Sequence, residues 1–269
     1  NEKLYATNLN KLEWNAMGRF FPSIRKDEII KGFKKNSFTS YNDYFTYPKN
    51  GAISYVKSLQ RQIKNAEYKL NTSVVKIEIK KKLIYLDNGE IIPYENLISS
   101  IPFPNLLQKC NISYNKKIFS ANKVCVFNLG FDKKSFHKDH WIYFPSKKLS
   151  FYRVGFYNNI FKNNRMSLYV EIGKSSKSII NKEKLFKKVI EDLKSVGIIS
   201  NQKVISKHYL EMNPAYVHIT NSSEKHKKNL KKKLEKNKIY SIGRYGDWKY
   251  CSIEDNIIEA LNLNNIIRK

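Results

Sequence analysis

Only seven of the 50 cationic side chains in this 269-residue chain are arginines. Where lysine is written almost everywhere, each arginine marks a place where a planar, five-donor fork could matter. Arg244 lies between Gly243 and Gly246 in "YSIGRYGDWKYCSIEDNI". Glycines let a backbone approach a ligand closely, and a guanidinium between them could fork onto a diphosphate. Such loops are common, so the spacing leaves a plain surface ion pair equally open. Arg153 stands inside "HWIYFPSKKLSFYRVGFY", with Trp141 and Tyr143 before it and Phe151, Tyr152, Phe156 and Tyr157 around it. An unpaired buried charge is costly, so Arg153 requires a partner. That partner is either a protein carboxylate or an anionic ligand in an aromatic-walled pocket. Arg19, in "WNAMGRFFP", has the same character.

The elements that must position these residues are legible in part. Residues 1–65 read as mostly helical, and Ile53, Val56, Leu59 and Ile63 recur at helical spacing, which predicts one packed face. Tyr47-Pro48 and Gly51 place a loop before that helix. From residue 68 the period changes. "SVVKIEI" and "KLIYL" read as strands around a turn at "DNG", and "NLISSIP" as a short buried strand stopped by Pro102. "KVCVFNLGF", "HWIYFP", "SFYRVGFY" and "MSLYVEI" follow as strands of an antiparallel sheet. A helix over 181–196 is capped by Asn181 and ended by Gly197. A strand, a turn at Asn213-Pro214 and further strand come next. The lysine-rich helix over 223–237, with only Leu230 and Leu234 as a stripe, reads as solvated. Last come a strand over 239–242, a polar and aromatic loop, and a helix opened by a Ser252–Asp255 capping box.

Composition excludes several function classes. Hydrophobic content of 41% supports a packed core, so disorder is not expected. The net charge of +27 invites a nucleic-acid or membrane-surface reading. Lysine dominance argues instead for a solvated surface, because base and phosphate readers lean on arginine. Cys110, Cys125 and Cys251 are far apart and form no CxxC, so neither zinc nor a disulfide framework is indicated. A reducing, cytoplasmic compartment is the expectation. His137 and His140 sit in a polar turn without companion ligands, and no metal site is expected. No motif frames a protein nucleophile, and no apolar run approaches the ~18 residues of a membrane span.

At these residues the chain resembles the flavin-dependent amine oxidase and protoporphyrinogen oxidase-like superfamily, and within it the UDP-galactopyranose mutases of eukaryotic type and their bacterial relatives. The resemblance covers most of the chain. It is carried by "NEKLYATNLNKLEWNAMGR", "YPKNGAISYVKSL", "NTSVVKIEIKKKLIYLDNGEIIPYENLISSIP", "HWIYFPSKKLSFYRVGFYNN", "PAYVHI" and, most specifically, "GRYGDWKY". Asn50 departs from the family, standing where a second glycine is usual.

The resemblance implies an FAD-dependent enzyme that interconverts pyranose and furanose forms of a UDP-sugar for surface polysaccharide synthesis. Reduced flavin would act through N5, with NADPH or NADH as possible reductant, so no protein nucleophile is required. It implies cofactor contacts at Val74, Val75, Ser100, Gly243, Arg244, Tyr245, Gly246, Glu254 and Asp255. It implies substrate contacts at Arg19, Tyr47, Trp141, Tyr143, Arg153, Tyr216 and Tyr250. No GxGxxG occurs in the chain. The family carries that motif upstream of its "NEKL" segment, so the resemblance implies the C-terminal portion of a longer enzyme and weak flavin binding by residues 1–269 alone.

The expected fold is α/β (α+β overall): a partial FAD-binding Rossmann-like domain interleaved with a substrate domain of antiparallel sheet and helices. The expected boundaries are a helical substrate-side segment 1–67, returning strands 68–105, a sheet domain 106–235 and a C-terminal strand–loop–helix 236–269. Two other readings stand beside it. One is a flavin oxidoreductase acting on an amine or porphyrinogen-like substrate, which would not require the Arg19 and Arg153 charges. The other is a non-catalytic basic binding module, which leaves the arginine–aromatic spacing unexplained.

Overall fold

The computed structural model describes residues 1–20, 26–27, 30 and 45–268, the side chain of Arg19 excepted. The chain separates into two units, Asn1–Ala16 with Ser73–Lys269, and Met17–Thr72. The first opens with a single helical turn, α1 (Glu2–Tyr5). The second contains α2 (Ile53–Gln62), whose predicted packed face is not packed. Ile53, Val56, Leu59 and Ile63 are all about half exposed. Helical spacing makes an apolar stripe but does not supply a surface to bury it. The mostly helical character expected of residues 1–65 appears, among the described residues, as short separate elements. Residues 1–16 group with the sheets.

After α2 the larger unit resumes with a three-stranded antiparallel meander, β1 (Val74–Glu78), β2 (Leu83–Leu86) and β3 (Ile91–Pro93). The "DNG" turn between β2 and β3 has Gly89 at φ 86°, a conformation that favours glycine. Then come β4 (Leu97–Ser99) and α3 (Phe103–Lys109). The main sheet uses β5 (Asn122–Phe131), β6 (Trp141–Tyr143) and β7 (Arg153–Phe156). A short α4 (Tyr157–Phe161) leads into β8 (Ser167–Ser175), followed by α5 (Lys182–Ser195) and β9 (Val204–Met212). The strands lie in the order β6-β7-β8-β5-β9, and every pairing is antiparallel, as the sequence predicts. The chain closes with α6 (Asn221–Glu235), β10 (Ile239–Ser241), α7 (Gly243–Gly246) and α8 (Ile253–Ile267). The loop expected after β10 begins as the helical turn α7. The strand expected after Asn213-Pro214 amounts to one bridge, Ala121 with Val217. No helix among the described residues is long and apolar enough to cross a membrane.

Strand alternation gives the main sheet two unlike faces. On one, Phe127, Leu129 and Phe131 of β5, Val154 and Phe156 of β7, and Leu168, Val170 and Ile172 of β8 pack with Val189 and Leu193 of α5. The opposite face carries Trp141, Tyr143, Arg153, Tyr169 and Glu171. A second core gathers α3, Ile77, Ile239 and Trp248 around Leu230 and Leu234 of α6. The lysine-rich helix is therefore not simply solvated: Lys227 is buried and pairs with Glu224 at 2.8 Å.

Asn122, fully buried at the start of β5, joins three segments. Its side-chain oxygen accepts the Tyr216 backbone N–H (2.7 Å), and its amide donates to the Leu4 carbonyl of α1. Its main chain also exchanges bonds with residues 215 and 216 (3.0 Å each). His218 adds a second clasp. Its ring bonds Ser120 and the Tyr5 carbonyl, each at 3.0 Å.

Two outcomes are expected. Asn122→Ala strands the Tyr216 N–H and the Leu4 carbonyl, and each buried unpaired group costs about 1–3 kcal/mol. A loss of about 2–4 kcal/mol should appear in urea unfolding. Burial lowers the His218 pKa, an effect its bond to Tyr5 only partly opposes. The unfolded chain then binds more protons at this group. Its contribution is complete above the ordinary value of 6.5 and is lost as pH falls from there towards the lowered folded value. The urea midpoint should drop between pH 7 and 5.5, and His218→Gln should flatten that drop.

Candidate active site

Register places Arg153 in a row. Tyr143 lies opposite Arg153 across β6–β7, and Glu171 opposite Arg153 across β7–β8. Cross-strand neighbours on one face stand close enough for their side chains to meet. The guanidinium forms an ion pair with Glu171 at 2.5 Å and donates to the Tyr143 hydroxyl at 3.0 Å. It also lies over the Tyr143 and Tyr169 rings, 5.6 and 5.7 Å from their centroids. Of the two partners open to Arg153, the structure contains the carboxylate. Burial works against the charged guanidinium, but Glu171 outweighs it and holds the Arg153 pKa above its ordinary value. The Nε–H of Arg153 is buried and finds no acceptor among the described residues.

Two residues along on the same face, Trp141, Gly155 and Tyr169 form the next row. A Cβ on Gly155 would fall 2.0 Å from the Tyr169 ring. Glycine there lets Tyr169 lie flat across β7 beside Arg153.

Arg244 occupies a different setting. Its guanidinium stacks over Tyr250 at 4.4 Å and Tyr216 at 5.4 Å, and these two rings are nearly parallel, 6.0 Å apart. Tyr5 of α1 meets Tyr216 edge-on at 5.9 Å. No carboxylate among the described residues lies within ion-pair distance of Arg244. The two flanking glycines serve separate ends. Gly243 has φ 82°, and its open side faces Ser100 and Asn256. Gly246 packs on the strands, where a Cβ would sit 2.9 Å from the Ser99 carbonyl. The turn is held by charge. Glu259 of α8 accepts the Gly243 N–H (2.8 Å) and pairs with Lys249 (3.0 Å). Asp247 pairs with Lys231 (2.6 Å) and Lys249 (3.1 Å).

Tyrosines join the two arginines. The Tyr152 hydroxyl donates to Glu171, the partner of Arg153. Tyr152 also lies close enough to Tyr216 to influence its ionisation, and Tyr216 stacks on Tyr250 beside Arg244. Burial, with the nearby Glu171 charge, raises the Tyr216 pKa to about 12. Burial likewise raises Tyr169 to about 12. Both are neutral hydroxyls at neutral pH, able to donate as well as accept.

The structure thus brings Tyr143, Arg153, Tyr216, Arg244 and Tyr250 into one cluster, with Trp141 on the adjoining row. Tyr245 donates to the Ala215 carbonyl (3.3 Å) beside it. Val74 and half-exposed Val75 lie in β1; α3 packs against both that strand and α7. Asp255 is engaged by the capping box, accepting the Ser252 N–H at 2.8 Å, and Glu254 is exposed in the same turn. Tyr47 belongs to the other unit, and the Arg19 side chain lies outside the described residues. Sequence reasoning missed Tyr5, Tyr152 as a site residue, Tyr169 and Glu171. The available signal was "SLYVEIG", where Tyr169 and Glu171 alternate with Leu168, Val170 and Ile172.

No family model matches the chain. Among solved structures, reduced UDP-galactopyranose mutase aligns with a TM-score of 0.82 at 21% identity, covering 93% of this chain and 58% of that one. A protein described as a protoporphyrinogen oxidase from Exiguobacterium gives 0.66 at 13%, covering 93% and 62%. A CLA-producing fatty acid isomerase from P. acnes gives 0.58 at 12%, covering 87% and 54%. The chain therefore spans less than two thirds of the length of each. At these identities the likeness is one of fold: the chain has the mixed α/β fold shared by this mutase, oxidase and isomerase, the group that the sequence resembles.

Proposed function

We propose that this chain is the substrate-side and closing portion of an FAD-dependent enzyme that acts on a nucleotide sugar, in the manner of a UDP-galactopyranose mutase. The observation that carries the reading is the pair of guanidiniums, Arg153 and Arg244, joined by Tyr152, Tyr216 and Tyr250. A sugar diphosphate that leaves and returns needs fixed positive charge in a site poor in water. Arginines held in place supply it with little reorganisation. Arg244 has no competing carboxylate among the described residues, and the buried Nε–H of Arg153 is an unspent donor. Tyr143, Tyr216 and Tyr250 would add hydroxyls, with Trp141 as an apolar wall. Tyr47 and Arg19 remain proposed contacts by resemblance alone.

The donor set also fits one side of a flavin dinucleotide site. Gly243 opens the backbone towards a ligand, and Arg244 would hold the diphosphate. The Gly243 N–H is already taken by Glu259, so the guanidinium, not that amide, would make the contact. Ser100 and Tyr245 border the same turn, while Glu254 and Asp255 would face hydroxyl donors, since carboxylates repel phosphate. A bound reduced flavin would supply an electron-rich nitrogen towards the anomeric carbon. Among the described residues, β4 and β10 form a two-stranded parallel pair. Parallel sheets occur with more strands and with both faces covered. Ile98, Ile253, Ile257 and Leu261 are exposed in the same unit. These features support a larger parallel sheet completed by an N-terminal portion of the same enzyme.

The test is a titration with UDP followed by tryptophan fluorescence. Saturable binding is expected, weakened at least about tenfold by Arg153→Ala, which removes a charge-assisted contact worth about 1.5–3 kcal/mol, whereas Arg244→Ala should spare UDP and weaken FAD binding by the full-length enzyme by a similar factor. When the full-length enzyme, with its FAD reduced, is given UDP-galactofuranose, the pyranose form should accumulate. Amine-dependent oxygen consumption without sugar conversion would instead establish the oxidoreductase reading.

A further inference from the structure

The first turn of the chain has work to do beyond its four residues. A one-turn helix has no stability of its own, so α1 persists only through what it touches. Its backbone lies directly on β8: a Cβ on Gly173 would fall 2.0 Å from the Lys3 carbonyl oxygen. Asn122 takes the Leu4 carbonyl, and His218 the Tyr5 carbonyl. The Lys3 side chain leaves this fixed base and reaches the loop that joins β6 to β7. There its ammonium donates to three backbone carbonyls, those of Phe144 (3.1 Å), Ser146 (2.8 Å) and Phe151.

This arrangement is specific. An ammonium has three donors, and one loop provides three converging acceptors. No carboxylate among the described residues lies within ion-pair distance of Lys3, so the loop carbonyls, not an acid, hold it. Burial pulls its pKa down, with the more distant Asp192 opposing. Main-chain carbonyls in a long connection need partners, and Lys3 satisfies three at once, two of them part-buried. α5 holds the other side of the loop, where Asp192 accepts the Ser150 N–H at 2.7 Å and pairs with Lys188 at 2.8 Å. The Lys147–Glu2 pair (2.7 Å) is exposed and adds little. The two strand ends entering this loop are Tyr143 and Arg153, which face each other in register.

We propose that Lys3 is a positioning residue: its ammonium fills a cage of three carbonyls, fastens the β6–β7 loop to β8, and so fixes Tyr143 and Arg153 opposite Glu171. The consequence for ligand binding rests on the reading of Tyr143 and Arg153 as diphosphate contacts; the fastening itself does not.

Hydrogen exchange read by mass spectrometry on the full chain tests it. In Lys3→Met, amides of residues 144–156 should exchange about tenfold faster or more, with peptides of β4, β10 and α8 unchanged. Lys3→Arg, which keeps several donors, should recover most of the protection, and Lys147→Ala should stay near wild type. UDP affinity should fall with loop protection across the series. Unchanged exchange over 144–156 in Lys3→Met overturns the proposal, as does equal acceleration throughout the chain. If Lys3→Met does not fold, Lys3→Gln carries the comparison: intermediate loop exchange supports the cage and wild-type exchange overturns it. Faster loop exchange in a protein whose wild type binds no UDP supports the fastening and counts against the diphosphate reading.

Discussion

A charged guanidinium on a sheet face among aromatic rings can be kept only if its charge is met where it sits. Arg153 imposes that condition on three strands. β8 must present Glu171 directly opposite, β6 must present Tyr143, and the two residues must share a face with Arg153. One residue of slippage in either pairing would turn the partner into the opposite core and leave a buried charge unmatched. The register of β6, β7 and β8 is thus set by apolar packing on one face and by a single ion pair on the other. The ion pair contributes specificity more than stability, since desolvation consumes most of its Coulomb gain.

Glu171 also serves Tyr152, and Tyr152 leads to Tyr216, so the constraint reaches the second arginine. Tyr216 stands where three parts of the chain converge. Asn122 fixes its backbone, Tyr5 packs its edge, and Tyr250 stacks on its face beneath Arg244. This makes the two cationic centres parts of one rigid body rather than two neighbouring surface charges. Rigidity matters for the proposed chemistry, because donors already in place need not reorganise as charge develops on a departing diphosphate. The contrast in their partners is equally telling. Arg153 is balanced by an acid, whereas Arg244 rests on rings whose faces attract a cation without neutralising it.

Local pattern made much of this fold legible. The apolar, β-rich run "KVCVFNLGF" announces β5, Asn181 caps α5 as expected at 3.0 Å, and Ser252 with Asp255 forms the capping box of α8. These signals lie within a few residues of what they specify. Illegible features depend on distant pairings. Nothing near Arg153 names Glu171, eighteen residues on, because only the β7–β8 register brings them together. Asn122 looks like one polar residue before a strand, yet it joins residues near 4 and 216. The stripe of α2 shows the converse, for Ile53, Val56, Leu59 and Ile63 have the helical period yet remain about half exposed. The Arg244 turn was visible through its glycines. Their separate reasons, a positive φ at Gly243 and close packing at Gly246, were not.

The excess of lysine is more than a solvated coat. Lys123 is buried against Glu211 at 2.5 Å, Lys227 is buried beside Glu224, and Lys231 and Lys249 brace Asp247 under the Arg244 turn. Each is a compact charge on a flexible stem, suited to reaching an acid or a carbonyl wherever the fold places one. Arginine has the opposite talent, a rigid fork that recognises a planar anion but tolerates little misplacement. In this chain the two roles divide accordingly. Lysines fasten loops and turns from behind, and the two arginines of the cluster stand on the face those fastenings hold still. Lys3 belongs to the first group, although the sequence presents it as one lysine among many. What separates it from the rest is the three converging carbonyls that only the fold assembles.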